Sequence, residues 1–290
     1  MEISLFGTGL MGQPMGFKLL EAGHTLTAYN RTPEKLIPLQ NAGATVVHTP
    51  QEALQASSVS ILMLTNAQAI QDTLLSDSSK SALAGHTIIQ MSTIAPQESK
   101  DFKQQIETAG GNYLEAPVLG SIPEVKKGEL QVMVGGTPEQ FQTWQNILQV
   151  FGKPLLMGEV GAASTVKVAM NQLIGSLVTA FSLSLSLVQK EGIDVDKFME
   201  IVRGSSLYAP KFDSKLKRML QENFDNPNFP TKHLLKDMQI VNKTAENKGV
   251  STDATQGVER ILERALALGL ADSDYSALFQ AVKNNDRKFS

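Results

Sequence analysis

Short β-rich runs alternate with helically spaced apolar segments from the start of the chain to residue 157. Glu2–Phe6, Thr25–Asn30, Ala44–Val47, Val59–Thr65, Thr87–Thr93, Asn112–Val118, Leu130–Val134 and Pro154–Met157 read as strands. Between them Leu10–Glu21, Pro33–Asn41, Pro50–Ala56, Ala67–Leu75, Gln97–Ala109 and Pro138–Val150 read as helices, several opened by Thr or Pro and two closed by Gly23 and Gly43. This alternation predicts an α/β domain, a Rossmann-type doubly wound parallel sheet covered by helices. From Gly161 the β-rich runs stop, and Ala162–Lys190, Val195–Arg203, Ala209–Leu220, Lys232–Lys248 and Ala254–Leu268 all carry the helical pattern. The expected division is therefore residues 1–160 as an α/β domain and residues 161–290 as an all-helical domain, joined by the long helix that follows Gly158–Gly161.

That helix contains an uncharged stretch, Gln172–Gln189, which approaches the length of a bilayer span. Its Gln172, Ser176, Thr179, Ser182, Ser184 and Ser186 are polar enough that burial in protein, with no membrane partner, is the expectation. The alternating run beginning at Glu2 leaves no basic-then-apolar leader pattern, which favours a cytoplasmic protein.

Composition narrows the chemistry. The 290 residues include no cysteine, which excludes disulfide scaffolds and thiolate-ligated metals, and 42% are hydrophobic, enough for a substantial core. A net charge of −3 with both signs interspersed gives no basic footprint for nucleic acid, so small molecules and copies of the chain itself are the expected partners. The histidines at 24, 48, 86 and 233 are scattered without metal-ligand spacing, and no metal site is expected.

Gly7-Thr8-Gly9-Leu10-Met11-Gly12 fits G-x-G-x-x-G directly between a strand and a helix. There the first glycine permits a tight turn, the second lets backbone approach a pyrophosphate, and the third allows close helix–strand packing, with the helix N-terminus facing the phosphates. The second strand ends in Asn30-Arg31-Thr32, where an NAD-selective site would place a carboxylate on the ribose. A guanidinium instead matches a 2′-phosphate in charge and geometry, which predicts NADPH as cofactor, with Asn30, Arg31 and Thr32 beside it; Arg31 as a solvated turn residue is the plainer alternative.

Five motifs then carry a family resemblance: Phe6 to Met15 with its Met-Gly-Gln-Pro-Met continuation, Met91-Ser92-Thr93, Glu115-Ala116-Pro117-Val118, Gly161 to Asn171, and Phe229-Pro230-Thr231-Lys232-His233-Leu234-Leu235-Lys236-Asp237. In this order they resemble the β-hydroxyacid dehydrogenases along essentially the whole chain. Phe229-Pro230 with Lys232-His233, and Gly120-Ser121 with its spacing to Gly128, are most similar to the glyoxylate/succinic semialdehyde reductase branch.

The resemblance implies roles that the residues alone do not. Lys167, otherwise one more helix lysine, becomes the catalytic residue, an ammonium that stabilises charge on a carbonyl oxygen and supplies its proton. Asn171 helps place it. Thr93 lies between cofactor and substrate, Leu64 and Thr65 touch the cofactor mainly through backbone, Lys236 lies by the nicotinamide, and Asp237 and Phe229 line the substrate site. The family pattern has serine where Leu119 stands; leucine donates no hydrogen bond, so either Gly120 and Ser121 receive the substrate carboxylate or the preferred substrate differs. The implied activity is NADPH-dependent reduction of a small aldehyde bearing a carboxylate, succinic semialdehyde or glyoxylate, by a homo-oligomer, dimer or tetramer. Rivals on the same scaffold are 3-hydroxyisobutyrate oxidation, tartronate semialdehyde reduction and imine reduction; a non-catalytic NADP-binding sensor or scaffold is the rival of another class.

Overall fold

The computed structural model describes residues 1–284, and the chain forms two compact units, Met1–Val168 and a second beginning at Ala169. In chain order the first unit contains β1 (Glu2–Phe6), α1 (Gly12–Glu21), β2 (Thr25–Tyr29), a 3-10 turn at Pro33–Leu36, α2 (Ile37–Asn41), β3 (Thr45–Val47), α3 (Pro50–Gln55), β4 (Val59–Leu62), α4 (Ala67–Leu74) and α5 (Asp77–Lys80). It continues with β5 (Thr87–Gln90), α6 (Pro96–Thr108), β6 (Asn112–Glu115), β7 (Val118–Leu119), α7 (Ile122–Lys127), β8 (Leu130–Gly135), α8 (Pro138–Gln149) and β9 (Gly152–Gly158). The helix α9 (Ala162–Lys190) begins in this unit and runs on into the next.

Strands β3-β2-β1-β4-β5-β6 pair in parallel, the order of a Rossmann-type sheet, and the chain reverses direction of travel across the sheet between β1 and β4. A ligand crevice forms at the carboxyl ends of strands flanking such a switch point. At the far edge β8 runs antiparallel to β6 and β7 and parallel to β9. The expected strand Asn112–Val118 is broken at Ala116-Pro117, where proline has no N–H to donate and its carbonyl accepts from Met133 N–H at 2.9 Å.

Helices cover both faces, so each central strand buries consecutive residues on opposite sides. Leu5, Ile61, Ile89 and Leu114 pack with Met15 and Leu19 of α1 and Ile147 and Leu148 of α8. Their neighbours Phe6, Leu62, Ile88 and Tyr113 pack with Leu54 of α3, Ile70 of α4 and Phe102 and Ile106 of α6.

One buried titratable group belongs to this sheet. His86 Nε2 sits 2.8 Å from Ser60 Oγ, and burial lowers the imidazole from 6.5 to about 4. Between those values the unfolded chain holds more protons here than the folded one, so stability falls as pH drops from 6.5 towards 4, by about 3 kcal/mol in all. Urea midpoints measured at pH 7 and pH 4.5 should show this loss in the parent chain and a smaller one in His86→Gln; equal losses would exclude His86 as the cause.

The second unit is helical: α10 (Val195–Arg203), α11 (Pro210–Gln221), α12 (Thr231–Glu246), α13 (Asp253–Ala267), a 3-10 turn at Tyr275–Ala277 and α14 (Leu278–Lys283). Gly175 of α9 lets Met238 of α12 approach so closely that a Cβ would lie 2.8 Å from its sulfur. Phe181 and Phe212 stack at 4.7 Å. Among the described residues α9 is the one helix long and apolar enough to cross a membrane. Its Ser182 and Ser186 are buried and donate back to the carbonyls of Val178 and Ser182, while Leu173, Leu177, Leu183 and Leu187 form an exposed stripe.

Candidate active site

The glycine loop divides by what its own chain demands. Gly7, at φ +95°, has no room for a side chain, since a Cβ would lie 2.3 Å from Met63 O; one on Gly12 would lie 1.9 Å from Gly7 O. Gly9 has nothing within 4 Å and faces open space. Folding therefore requires the outer two glycines, and the middle one leaves a cradle that a Cβ would fill.

The helix that follows is prepared for an anion. Helices α3, α4 and α8 are capped by the side chains of Thr49, Asn66 and Thr137, whereas α1 has neither a capping side chain nor an acid in its first turn. Gln13 N–H donates to Gly9 O at 3.0 Å and Pro14 has no N–H, so what the helix start offers a pyrophosphate is its positive dipole end together with the backbone of the loop before it. Leu10, 42% exposed, and Met11 complete the loop. The residues present fit a dinucleotide.

Neighbouring strand ends hold the loop in place. Gly7 N–H donates to Tyr29 O at 2.9 Å, and Met63 N–H donates to Phe6 O at 2.8 Å. Asn30 Oδ1 accepts from Thr8 N–H at 3.1 Å while its Nδ2 donates to Thr32 O, and Thr8 Oγ1 donates to Lys35 O at 3.0 Å. The side chains of Thr8 and Asn30 are thus spent on fastening the loop to the end of β2. Arg31 is exposed, with no hydrogen bond or ion pair among the described residues, and Thr32 beside it is exposed too.

Past β4, Leu64 N–H donates to Ser92 Oγ at 2.8 Å, and Ser92 exchanges hydrogen bonds with Gln90, its own N–H donating to Gln90 Oε1 and its carbonyl accepting from Gln90 Nε2 at 3.0 Å. This lock brings the Leu64-Thr65 and Thr93 segments side by side; Thr65 is exposed and Thr93 half-buried. Sequence reasoning passed over Gln90 and named Ser92 only within the Met91-Ser92-Thr93 motif, with no role of its own, although two polar residues closing an otherwise apolar run were the available signal.

Gly120 has φ +133°, and a Cβ there would meet Leu130 Cδ2 at 2.5 Å. Ser121 does not turn its donors outward: its N–H and its hydroxyl both donate to Glu124 Oε2 at 2.7 Å, closing the start of α7. Of this pair, only glycine backbone is left uncommitted to that cap.

Glu115, at the end of β6, is fully buried and was not foreseen as a site residue. Its Oε1 accepts the N–H groups of Gly161 (2.7 Å), Ala163 (2.9 Å) and Ser164 (3.3 Å); Oε2 accepts the hydroxyls of Ser99 (2.6 Å) and Ser164. A carboxylate thereby satisfies the first turn of α9, where a negative charge is favoured. Tyr113, hydrogen-bonded to Ser99 and buried beside this carboxylate, is raised well above the ordinary phenol value, chiefly by burial. Lys167 follows one turn later on α9 and is only 9% exposed.

In the second unit Asn171 Nδ2 donates to Asp237 Oδ2 at 2.7 Å, which leaves the amide oxygen as its acceptor edge, and Lys236 Nζ lies 2.9 Å from Asp237 Oδ1. Asn171 and Asp237 are buried. Phe229 stands apart from this trio: its ring lies 5.6 Å from Tyr275, edge to face, and 6.4 Å from His233. Burial, then Lys236, hold His233 below its ordinary value.

Residues 2–167 match the family model for the NAD binding domain of 6-phosphogluconate dehydrogenase, and residues 161–282 match that for the NAD-binding domain of NADP-dependent 3-hydroxyisobutyrate dehydrogenase. The chain is 30% identical to glyoxylate/succinic semialdehyde reductase 1 of Arabidopsis thaliana, covering 98% of this chain and 99% of that one. It is 31% identical to 2-hydroxy-3-oxopropionate reductase of Escherichia coli K12, covering 98% and 97%. The fold is shared with 3-hydroxyisobutyrate dehydrogenase of Mycobacterium tuberculosis, at TM-score 0.86 and 22% identity over 98% of this chain and 99% of that one. With both units matched and relatives of this identity covering its whole length, the chain belongs to the β-hydroxyacid dehydrogenase family of NAD(P)-dependent oxidoreductases.

Proposed function

We propose that the protein reduces a small aldehyde carrying a carboxylate, succinic semialdehyde or glyoxylate, with NADPH as the reductant and Lys167 as the proton donor. The observation that carries this reading is Lys167 itself, an amine all but removed from solvent one helical turn before an asparagine whose amide is fixed on Asp237. A lysine ordinarily keeps its ammonium in water, and burying one is worth its cost where the charge is used.

The backbone of Gly7 to Gly12 would hold NADPH, which would supply the hydride for the carbonyl carbon. Negative charge then gathers on the carbonyl oxygen, and the Lys167 ammonium stabilises that charge and passes a proton from Nζ to the oxygen, leaving a primary alcohol. Asn171 follows one turn later on the same helix, and Asp237, by taking its Nδ2, leaves the amide oxygen as the edge that can accept. Thr93 and the Gly120 N–H receive the substrate carboxylate, since Leu119 offers no donor and Ser121 is engaged with Glu124. Arg31 pairs with the 2′-phosphate as the charged, open group at the end of β2.

A steady-state screen of succinic semialdehyde, glyoxylate, 2-hydroxy-3-oxopropionate and 3-hydroxyisobutyrate, each with both nucleotides, tests the reading. The expected result is the highest kcat/KM for one of the first two with NADPH, and a loss of about 1.5–3 kcal/mol in NADPH preference for Arg31→Ala, the worth of a charge-assisted hydrogen bond. A best substrate other than succinic semialdehyde or glyoxylate, or equal use of NADH by the parent enzyme, would refute it. NADPH binding without turnover on any of these compounds would favour a sensor.

A further inference from the structure

We infer that Glu115 is a positioning residue for Lys167: by binding the first turn of α9 to the ends of β6 and β8, it sets where along the helix axis, and at what rotation, the lysine stands. This rests on the reading of Lys167 as proton donor and adds a residue that makes no contact with the reacting atoms.

Three observations support it. First, the carboxylate reaches backbone, since Gly161, Ala163 and Ser164 all give their N–H groups to one oxygen, fixing the helix start in height and rotation. Lys167 lies three and four residues beyond Ser164 and Ala163, so on a regular helix its Cα inherits that placement on the same face. Second, the surroundings are shaped to this side chain. Gly135 of β8 has no Cβ because one would lie 2.2 Å from Glu115 Oε1, and Ser99 of α6 holds Oε2 from the other side. Third, the hydrogen-bond partners are uncharged, so the anion is balanced by the N-terminal end of the very helix that carries the lysine.

Reach matters more than charge in this arrangement. The substitution Glu115→Asp would withdraw the carboxylate by one methylene and release the helix start. In Glu115→Gln an oxygen would stay on the three N–H groups, while the hydroxyls of Ser99 and Ser164 turn to accept from the new NH2.

The test compares Glu115→Asp, Glu115→Gln, Gly135→Ala and Lys167→Ala in the full chain. Expected for Glu115→Asp is a kcat about tenfold to a hundredfold lower with KM for succinic semialdehyde and Kd for NADPH within about twofold. In nucleotide-free protein the amides of residues 161–164 should exchange hydrogen faster while those of β1 and β4 keep their protection. Glu115→Gln should restore kcat to within about threefold of the parent and recover slow exchange. Gly135→Ala, which presses the carboxylate from the opposite side, should repeat the Glu115→Asp signature and stands in for it if that variant does not fold. Parent-like kcat in Glu115→Asp or Gly135→Ala, a loss matched by weakened NADPH binding and sheet-wide exchange, or a Glu115→Gln as impaired as Glu115→Asp would each overturn the inference. A Lys167→Ala that keeps turnover would remove the proton-donor reading itself; an inactive Lys167→Ala beside a fully active Glu115→Asp sinks only the positioning role.

Discussion

Lys167→Ala is expected to lower kcat for aldehyde reduction by about 10²–10⁴-fold, the usual contribution of a placed general acid, with NADPH affinity unchanged. Alanine removes both the charge that answers the developing alkoxide and the proton that quenches it. Lys167→Arg separates these: a guanidinium keeps the charge but stays protonated at any working pH, so it should recover part of the charge stabilisation and little of the proton transfer. Pre-steady-state mixing with NADPH followed by absorbance would read hydride transfer directly. Turnover near that of the parent in Lys167→Ala, with normal NADPH binding, would refute the assignment.

The largest stability effect is expected at Lys215 and Asp274. Asp274 is fully buried and takes the Lys215 ammonium on both oxygens, at 2.8 and 2.9 Å, together with the N–H and hydroxyl of Ser276. The same ammonium lies 4.3 Å from the centre of the Tyr275 ring. Burial pulls Lys215 below its ordinary value and Asp274 works against that pull. Removing one partner strands the other, so Lys215→Ala or Asp274→Asn should each cost about 3–5 kcal/mol in urea unfolding, whereas Lys215→Met with Asp274→Leu should cost less than either. In Asp274→Asn the pull of burial on the Lys215 amine is left unopposed, so the variant should gain stability as pH rises towards 10.5, a trend the parent shows more weakly. A loss below about 1 kcal/mol for both single variants would mean that the pair is hydrated and energetically idle.

These two effects differ in how visible they were along the chain. The glycine loop, the end of β2 and the bounds of α9 are local features: glycines, an arginine and a helically spaced apolar run beginning after Gly161 and stopping before Gly192 announce them without any tertiary knowledge. Lys167 became legible only through a resemblance, since a buried lysine and a solvated one look alike in a helix. Glu115 stood only as a motif residue without a role and Asp274 was not seen, because the α9 partners of the one lie 46 to 49 residues away and the Lys215 partner of the other 59, and only the fold closes such distances. The short helices α5 and α7 were missed for another reason: with four and six residues they complete less than two turns, and no apolar period can develop. For α7 the signal was chemical, with Ser121 three residues before Glu124 and Gly128 at the exit in the left-handed region.

The three loop glycines also stand under different kinds of selection. Substitutions at Gly7 and Gly12 collide with the chain's own carbonyls, so cellular quality control would meet them as misfolded protein and clear them. A side chain at Gly9 meets nothing until a nucleotide arrives. Such a variant would persist at normal abundance and assemble normally while failing only at its task, and a survey of tolerated mutations scored by protein level would report as dispensable the one glycine that function alone preserves.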